Sequence, residues 1–212
     1  MQTVAIVDFS FGNLRSVHNA LRSLAGPDVD VRVATEPSVI EQADRVVFPG
    51  QGAARHCMLA LHRKGLANAV LSAARNRPFL GVCMGMQVLM EYSEENDGVD
   101  CLGLFSGKVQ AFAPHVERGS GFKVPHMGWS RIEQTAHPLW ENIPDQSRFY
   151  FVHSYYTAPR DEEAIAGRTD YVLPFASVIA RDQVFAMQSH PEKSGRDGLT
   201  LLRNFLHWDG RC

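Results

Sequence analysis

An excess of either charge sign is missing from this chain: 21 Lys and Arg stand against 23 Asp and Glu, a net charge of −2 over 212 residues. Without a basic surplus there is no electrostatic footprint for a polyanion, so nucleic acid is not an expected partner. No apolar run approaches the ~18 residues of a membrane span, and no membrane is expected either. Cysteine is sparse. Cys57, Cys83, Cys101 and Cys212 form no C-x-x-C pair and no metal-ligand spacing. The nine histidines form no H-E-x-x-H or H-x-H, so neither metal nor other cofactor is expected. The start, Met1 to Asp8, lacks the basic n-region of a signal peptide and reads as a first strand. The chain is expected to work in a reducing, cytoplasmic compartment, as one domain over residues 1–212 with an adequate core.

What is present alternates. Thr3–Val7 reads as a strand, and Leu14, Val17, His18, Leu21 and Leu24 follow at helical spacing. Val29–Val33 and Arg45–Phe48 are further strands, and Leu59–Ala74 is helical. Such alternation predicts a doubly wound, mostly parallel α/β sheet, with functional sites at the carboxyl ends of its strands. The second half changes character. Short runs at Ser130–Glu133, Phe149–Tyr155, Ala164–Gly167 and Ala176–Ile179 predict an antiparallel extension of that sheet. Gly198–Trp208 closes the chain as a helix.

The most informative segment is Gly81-Val82-Cys83-Met84-Gly85. An apolar run, Pro78–Val82, precedes the thiol, and Met86, Val88, Leu89 and Met90 follow as a helical pattern. Strand, sharp turn and helix with a nucleophile at the apex is the geometry of the Gly-x-Ser-x-Gly elbow. A helix N-terminus beneath the sulfur favours the reactive thiolate. A lone cysteine more often packs as a small buried hydrophobe. The flanking glycines reverse that preference, and Cys83 is a candidate nucleophile.

A nucleophile needs a base. Gln183–Met187 alternates as a strand and leads into His190-Pro191-Glu192. Pro191 disfavours helix at His190, so an extended backbone would bring Glu192 alongside it. A carboxylate there fixes the imidazole tautomer and stabilises its charged form. Alone, the tripeptide reads as a surface turn. With the elbow present, Cys83, His190 and Glu192 form the better reading. Pro49-Gly50-Gln51-Gly52 follows a buried strand, where glycines let backbone N–H groups approach a ligand closely, as an oxyanion hole requires. A dinucleotide fingerprint is excluded, because Arg55 falls where the third glycine belongs. A plain turn stays open.

These segments, together with Phe11-Gly12-Asn13-Leu14-Arg15-Ser16-Val17, Val124-Pro125-His126-Met127-Gly128-Trp129 and Tyr150-Phe151-Val152-His153-Ser154-Tyr155, resemble the class I (triad) glutamine amidotransferases nearly end to end. The last three point to the branch that serves imidazole glycerol phosphate synthase in histidine biosynthesis. The resemblance implies a flavodoxin-like sheet and hydrolysis of L-glutamine through a Cys83 thioester. It implies oxyanion donors at Gly50, Gln51, Gly52 and Met84, and substrate contacts from Gln87, Glu95, Ser154 and Tyr155. It also implies a heterodimer in which a (β/α)₈ cyclase subunit receives the ammonia, with Asn13, Trp129, Tyr150 and Lys193 at the interface. Each has a plainer reading: Gln87, Glu95 and Lys193 as solvated residues, Trp129 and Tyr150 as core. Three positions depart from the family pattern, which has Val at 51, Asn at 130 and Phe at 189. Gln51 touches the tuning of the oxyanion strand, whereas Ser130 and Ser189 are expected to alter packing without abolishing activity. Two alternatives remain open, a glutaminase feeding another acceptor enzyme and a non-catalytic binding subunit of the same fold.

Overall fold

The computed structural model describes residues 1–9, 13–117 and 119–211; Phe11, Gly12 and Cys212 lie outside them. In chain order the elements are β1 (Gln2–Val7), α1 (Leu14–Leu24), β2 (Val29–Ala34), α2 (Pro37–Gln42), β3 (Arg45–Gly50), α3 (Ala54–Arg63), α4 (Leu66–Asn76), β4 (Phe79–Cys83), α5 (Met84–Gln87), β5 (Met90–Ser93), β6 (Val99–Asp100), β7 (Phe105–Ala111), β8 (His126–Arg131), β9 (Glu133–Gln134), β10 (Arg148–His153), β11 (Tyr155–Pro159), β12 (Ile165–Asp170), β13 (Pro174–Arg181), β14 (Val184–Met187) and α6 (Gly195–His207).

Twelve of the described strands form one sheet, and its parallel part runs in the order β2-β1-β3-β4-β14. That is the flavodoxin-like order, and it places the ends of β3, β4 and β14 side by side. The strands β1, β3 and β4 read as near-continuous apolar runs because helices cover both faces of a parallel sheet. On one face pack Leu61, Leu66 and Val70 of α3 and α4; on the other, Val17 and Leu21 of α1 with Leu201, Leu202 and Phe205 of α6.

The antiparallel extension exists, through β13, β11, β7 and β12, but two of its expected strands lie elsewhere. β8 and β10 pair only with each other, as a separate two-stranded sheet. The expected run Phe149–Tyr155 is therefore two strands: the chain changes sheets at Ser154, whose carbonyl accepts from Phe112 N. Ser130–Glu133 likewise straddles β8 and β9.

Two helices differ from expectation. Leu59–Ala74 is broken between α3 and α4, where Gly65 takes a left-handed conformation (φ 66°) that no β-carbon obstructs. The helix after Cys83 is a single turn. The carbonyls of Val88 and Leu89 are drawn off by Leu102 N, Leu104 N and Phe105 N, and the chain continues as β5 beside β7. The apolar periodicity of Met86 to Met90 marks burial, not helix.

Candidate active site

Cys83 ends β4 with φ 54° and ψ −110°, a conformation that costs a non-glycine residue energy and is concentrated at functional sites. Its glycine neighbours have specific reasons. A β-carbon on Gly85 would overlap the Phe48 carbonyl, and one on Gly81 would come within 2.8 Å of Ala186 Cβ. The turn can therefore press against β3 and β14 only with bare backbone. Cys83 is left 6% exposed, at the floor of a cavity of about 450 Å³.

The expected base, His190, stands just beyond the end of β14. His190 Nδ1 lies 2.9 Å from Glu192 Oε1, with both side chains buried. The expected pair is formed, though by another route: Pro191–Lys193 is a 3-10 turn, opened by Pro191, which folds the carboxylate back under the ring. Asn13 Nδ2 donates to the same Oε1 at 3.0 Å. With Nδ1 engaged by the carboxylate, the buried Nε2 makes no hydrogen bond. Burial disfavours charge on His190, but the neighbouring Cys83 sulfur and then Glu192 outweigh it and lift the imidazole to about 10. Burial also opposes charge on Glu192; the bonds to His190 and Asn13 win and hold its carboxyl below the usual range.

The cavity brings together Gln51, Gly52, Met84, Gln87, Glu95, Ser154 and Tyr155 around Cys83 and His190, with Tyr150 and Lys193 at its edge. Gly50 and Glu192 sit behind this wall with Asn13. Glu95 anchors one oxygen on Ala54 N at 2.7 Å, at the start of α3. Burial, then the charges of Glu95 and Glu94, raise the Tyr155 phenol above its ordinary value. Gln87, far from solvated, is buried and donates to Tyr155 O at 3.0 Å and Gln188 Oε1 at 2.9 Å. Gln188 completes the link, its Nε2 3.6 Å from Cys83 Sγ. Its only signal in the sequence is an amide closing the otherwise apolar strand β14.

Trp129 is 51% exposed and Met127, two residues earlier on β8, 63% exposed. Trp129 meets Tyr150 edge-on at 6.1 Å, and Lys193 Nζ lies 6.0 Å from the Tyr150 ring. The backbone of Tyr150 faces inward. Its carbonyl accepts from His190 N at 2.9 Å, and its N–H donates to Ser194 Oγ, which in turn donates to His190 O at 2.6 Å. Ser194 is another residue that the motif reading missed. Ser189 Oγ is buried without a partner. Among the described residues, no group of three or more His, Cys, Asp or Glu side chains is placed to hold a metal ion, and no helix is long and apolar enough to cross a membrane.

A strained cysteine above a single helical turn, a buried imidazole–carboxylate pair and a flavodoxin-like sheet define the class, and residues 5–208 match the family of class-I glutamine amidotransferases, to which this chain belongs. Two relatives are each called "Imidazole glycerol phosphate synthase subunit HisH". The protein of Nitrosococcus oceani is 54% identical over 211 residues, covering 99% of both chains. That of Pseudomonas putida is 52% identical over 213 residues, covering 100% of both. Among solved structures, one glutamine amidotransferase superposes with a TM-score of 0.71 at 17% identity, covering 96% of this chain and 97% of the other. Another, from Thermotoga maritima, gives 0.63 at 14% identity, covering 97% and 96%. At that identity the likeness concerns the fold.

Proposed function

We propose that the chain is the glutaminase subunit of an imidazole glycerol phosphate synthase, working beside a cyclase subunit in histidine biosynthesis. The observation that carries the chemistry is the placement of Cys83 and His190 on one cavity, with the buried Glu192 carboxylate paired to the imidazole behind its wall. In this reading Cys83 thiolate attacks the side-chain amide carbon of L-glutamine. Backbone N–H groups at Gly50–Gly52 and Met84 receive the oxyanion, and imidazolium at His190 gives its proton to departing ammonia. A water, deprotonated by His190, then attacks the thioester and releases glutamate. Glu192 holds the imidazole in the required tautomer, steadied by Asn13. Gln87, Glu95, Ser154 and Tyr155 line the space for the amino-acid end of the substrate.

Ammonia released into neutral water becomes ammonium and loses its nucleophilicity, so it must pass directly to an acceptor. We assign the docking surface to the face bearing Met127, Trp129, Tyr150 and Lys193, against the end of a (β/α)₈ barrel. Large exposed apolar side chains beside a lysine suit such a surface better than they suit solvent.

A β-carbon at Gly50 would meet Phe9 and Met84, whereas one at Gly52 (φ 93°) would meet nothing within 4 Å, and glycine on both sides of Gln51 gives that peptide a backbone freedom that other residues lack. A donor brought in only by a rotation there would make the isolated chain nearly silent. The test measures glutamine hydrolysis by the chain alone, with the cyclase subunit, and with that subunit's nucleotide ligand. Stimulation of ~100-fold or more in kcat is expected, the range of a single oxyanion donor. Equal rates in all three would refute the gating, and no hydrolysis in any would refute the glutaminase reading.

A further inference from the structure

A line of hydrogen bonds, buried at its centre and part-buried at both ends, runs from β8 to the cavity. Ser130 Oγ lies 2.9 Å from His126 Nε2, and His126 Nδ1 lies 2.9 Å from His153 Nε2. His153 Nδ1 lies 2.8 Å from the carbonyl oxygen of Tyr155. That last oxygen decides the rest. A carbonyl only accepts, so His153 Nδ1 carries a proton. In neutral His153 the Nε2 is then bare, and His126 Nδ1 must donate to it. His126 Nε2 is bare in turn and takes the Ser130 hydroxyl proton. One fixed acceptor sets two tautomers and the orientation of a hydroxyl.

Both rings stay neutral because burial pushes His126 down to about 4 and His153, against the pull of its bond to the Tyr155 carbonyl, down to about 3. Neither ring can turn easily. His126 is stacked between Tyr171 at 3.9 Å and Phe151 at 4.9 Å, and His153 meets Phe112 and Phe175 at 5.3 and 5.4 Å. The far end of the line is shared. Tyr155 O also accepts from Gln87 Nε2, which reaches Gln188, whose amide lies 3.6 Å from Cys83 Sγ.

We propose that His126 and His153 are positioning residues for the glutamine cavity: the relay from Ser130 fixes the Tyr155 carbonyl, and through it Gln87 and Gln188 beside Cys83. This rests on the cavity being a glutamine site. It explains why two histidines occupy a pocket of aromatic rings that apolar residues could fill with less desolvation. It also gives Ser130 a function that asparagine, a donor too, would preserve.

Two measurements test it. Nitrogen-15 spectra of the imidazole rings should show both histidines as neutral Nδ1–H tautomers. An Nε2–H or charged form of either at neutral pH overturns the relay, whatever the enzyme does. In the complex with the cyclase subunit, His126→Asn keeps a donor near the Nδ1 position, whereas His126→Leu keeps apolar packing and loses the donor. The KM for glutamine should rise ~10-fold or more in His126→Leu, with a smaller change in kcat, and stay within ~3-fold of the parent in His126→Asn. A purely structural role gives the reverse order, Leu as good as Asn or better, and sinks the proposal. Should His126→Leu fail to fold, His126→Asn and the spectra still decide. A parent complex that hydrolyses no glutamine counts against the function, while the spectra judge the relay separately.

Discussion

Gly50 and Cys83 are register partners on the adjacent parallel strands β3 and β4, so the segment proposed to hold the oxyanion and the thiol leave the sheet side by side. Their spacing is fixed by backbone pairing, before any side chain is considered. A β-carbon at Gly50 would come within 2.8 Å of Phe9 Cζ and 2.9 Å of Met84 Cβ. The phenyl tip can move, but Met84 follows Cys83 directly and cannot without shifting the elbow.

Gly50→Ala should therefore separate chemistry from folding. The expected result is a loss of ~10- to 100-fold in kcat for glutamine, comparable to displacing an oxyanion donor, with an unchanged far-ultraviolet circular dichroism spectrum. Wild-type turnover in this variant would show that the end of β3 does not set the site.

Cys83→Ala tests the division of labour. Synthesis from glutamine by the assembled enzyme should fall below a percent or so of the parent rate, because a covalent catalyst has been removed. Synthesis from added ammonium salt at high pH should persist. Loss of both activities would mean that the thiol is needed for assembly.

Glu192→Gln carries a pH signature. The folded state favours protonated His190, a preference fully expressed below ~6.5 and lost as pH rises through about 10. The alkaline limb of kcat/KM should accordingly lie near pH 10 in the parent. Removing the carboxylate takes away one group that raises the imidazole, so the limb should move to lower pH. kcat should drop more than KM changes, and by less than in His190→Ala. An unmoved limb would detach Glu192 from the imidazole's titration.

Ser189 offers a stability test. Its buried hydroxyl lacks a partner, so Ser189→Ala removes a desolvation penalty at little cost in packing and should stabilise the chain by ~1 kcal/mol. Thermal unfolding of the two proteins measures it. A destabilised variant would show that the hydroxyl is hydrogen-bonded after all.

Local geometry was readable where backbone sterics dictate it. The glycines around Cys83 announce the elbow because the Phe48 carbonyl and Ala186 leave no room for side chains. His190 is extended as Pro191 requires and pairs with Glu192, but the carboxylate arrives through the 3-10 turn that Pro191 opens rather than along an extended backbone. Apolar spacing misled after Met86, where residues buried on all sides carry no period that separates strand from helix. The contacts that complete the site join distant parts of the chain: Asn13 to Glu192, Gln188 to Cys83, His126 to His153. No local pattern encodes those distances. Only the fold does.

Tyr150 presents its ring to the outside and its peptide groups to His190 and Ser194. The two tasks at this position are thus inherited separately. Any residue but proline could supply the same carbonyl to His190 and the same N–H to Ser194. In the proposed complex, the side chain that a partner would read could be exchanged without loosening the imidazole. On that proposal, a scaffold divided in this way could exchange one ammonia acceptor for another while its hydrolytic machinery stands still. It would also carry a liability: a partner that bent β10 would pull on the peptide hydrogen bond to His190, so a change of partner would be felt in turnover.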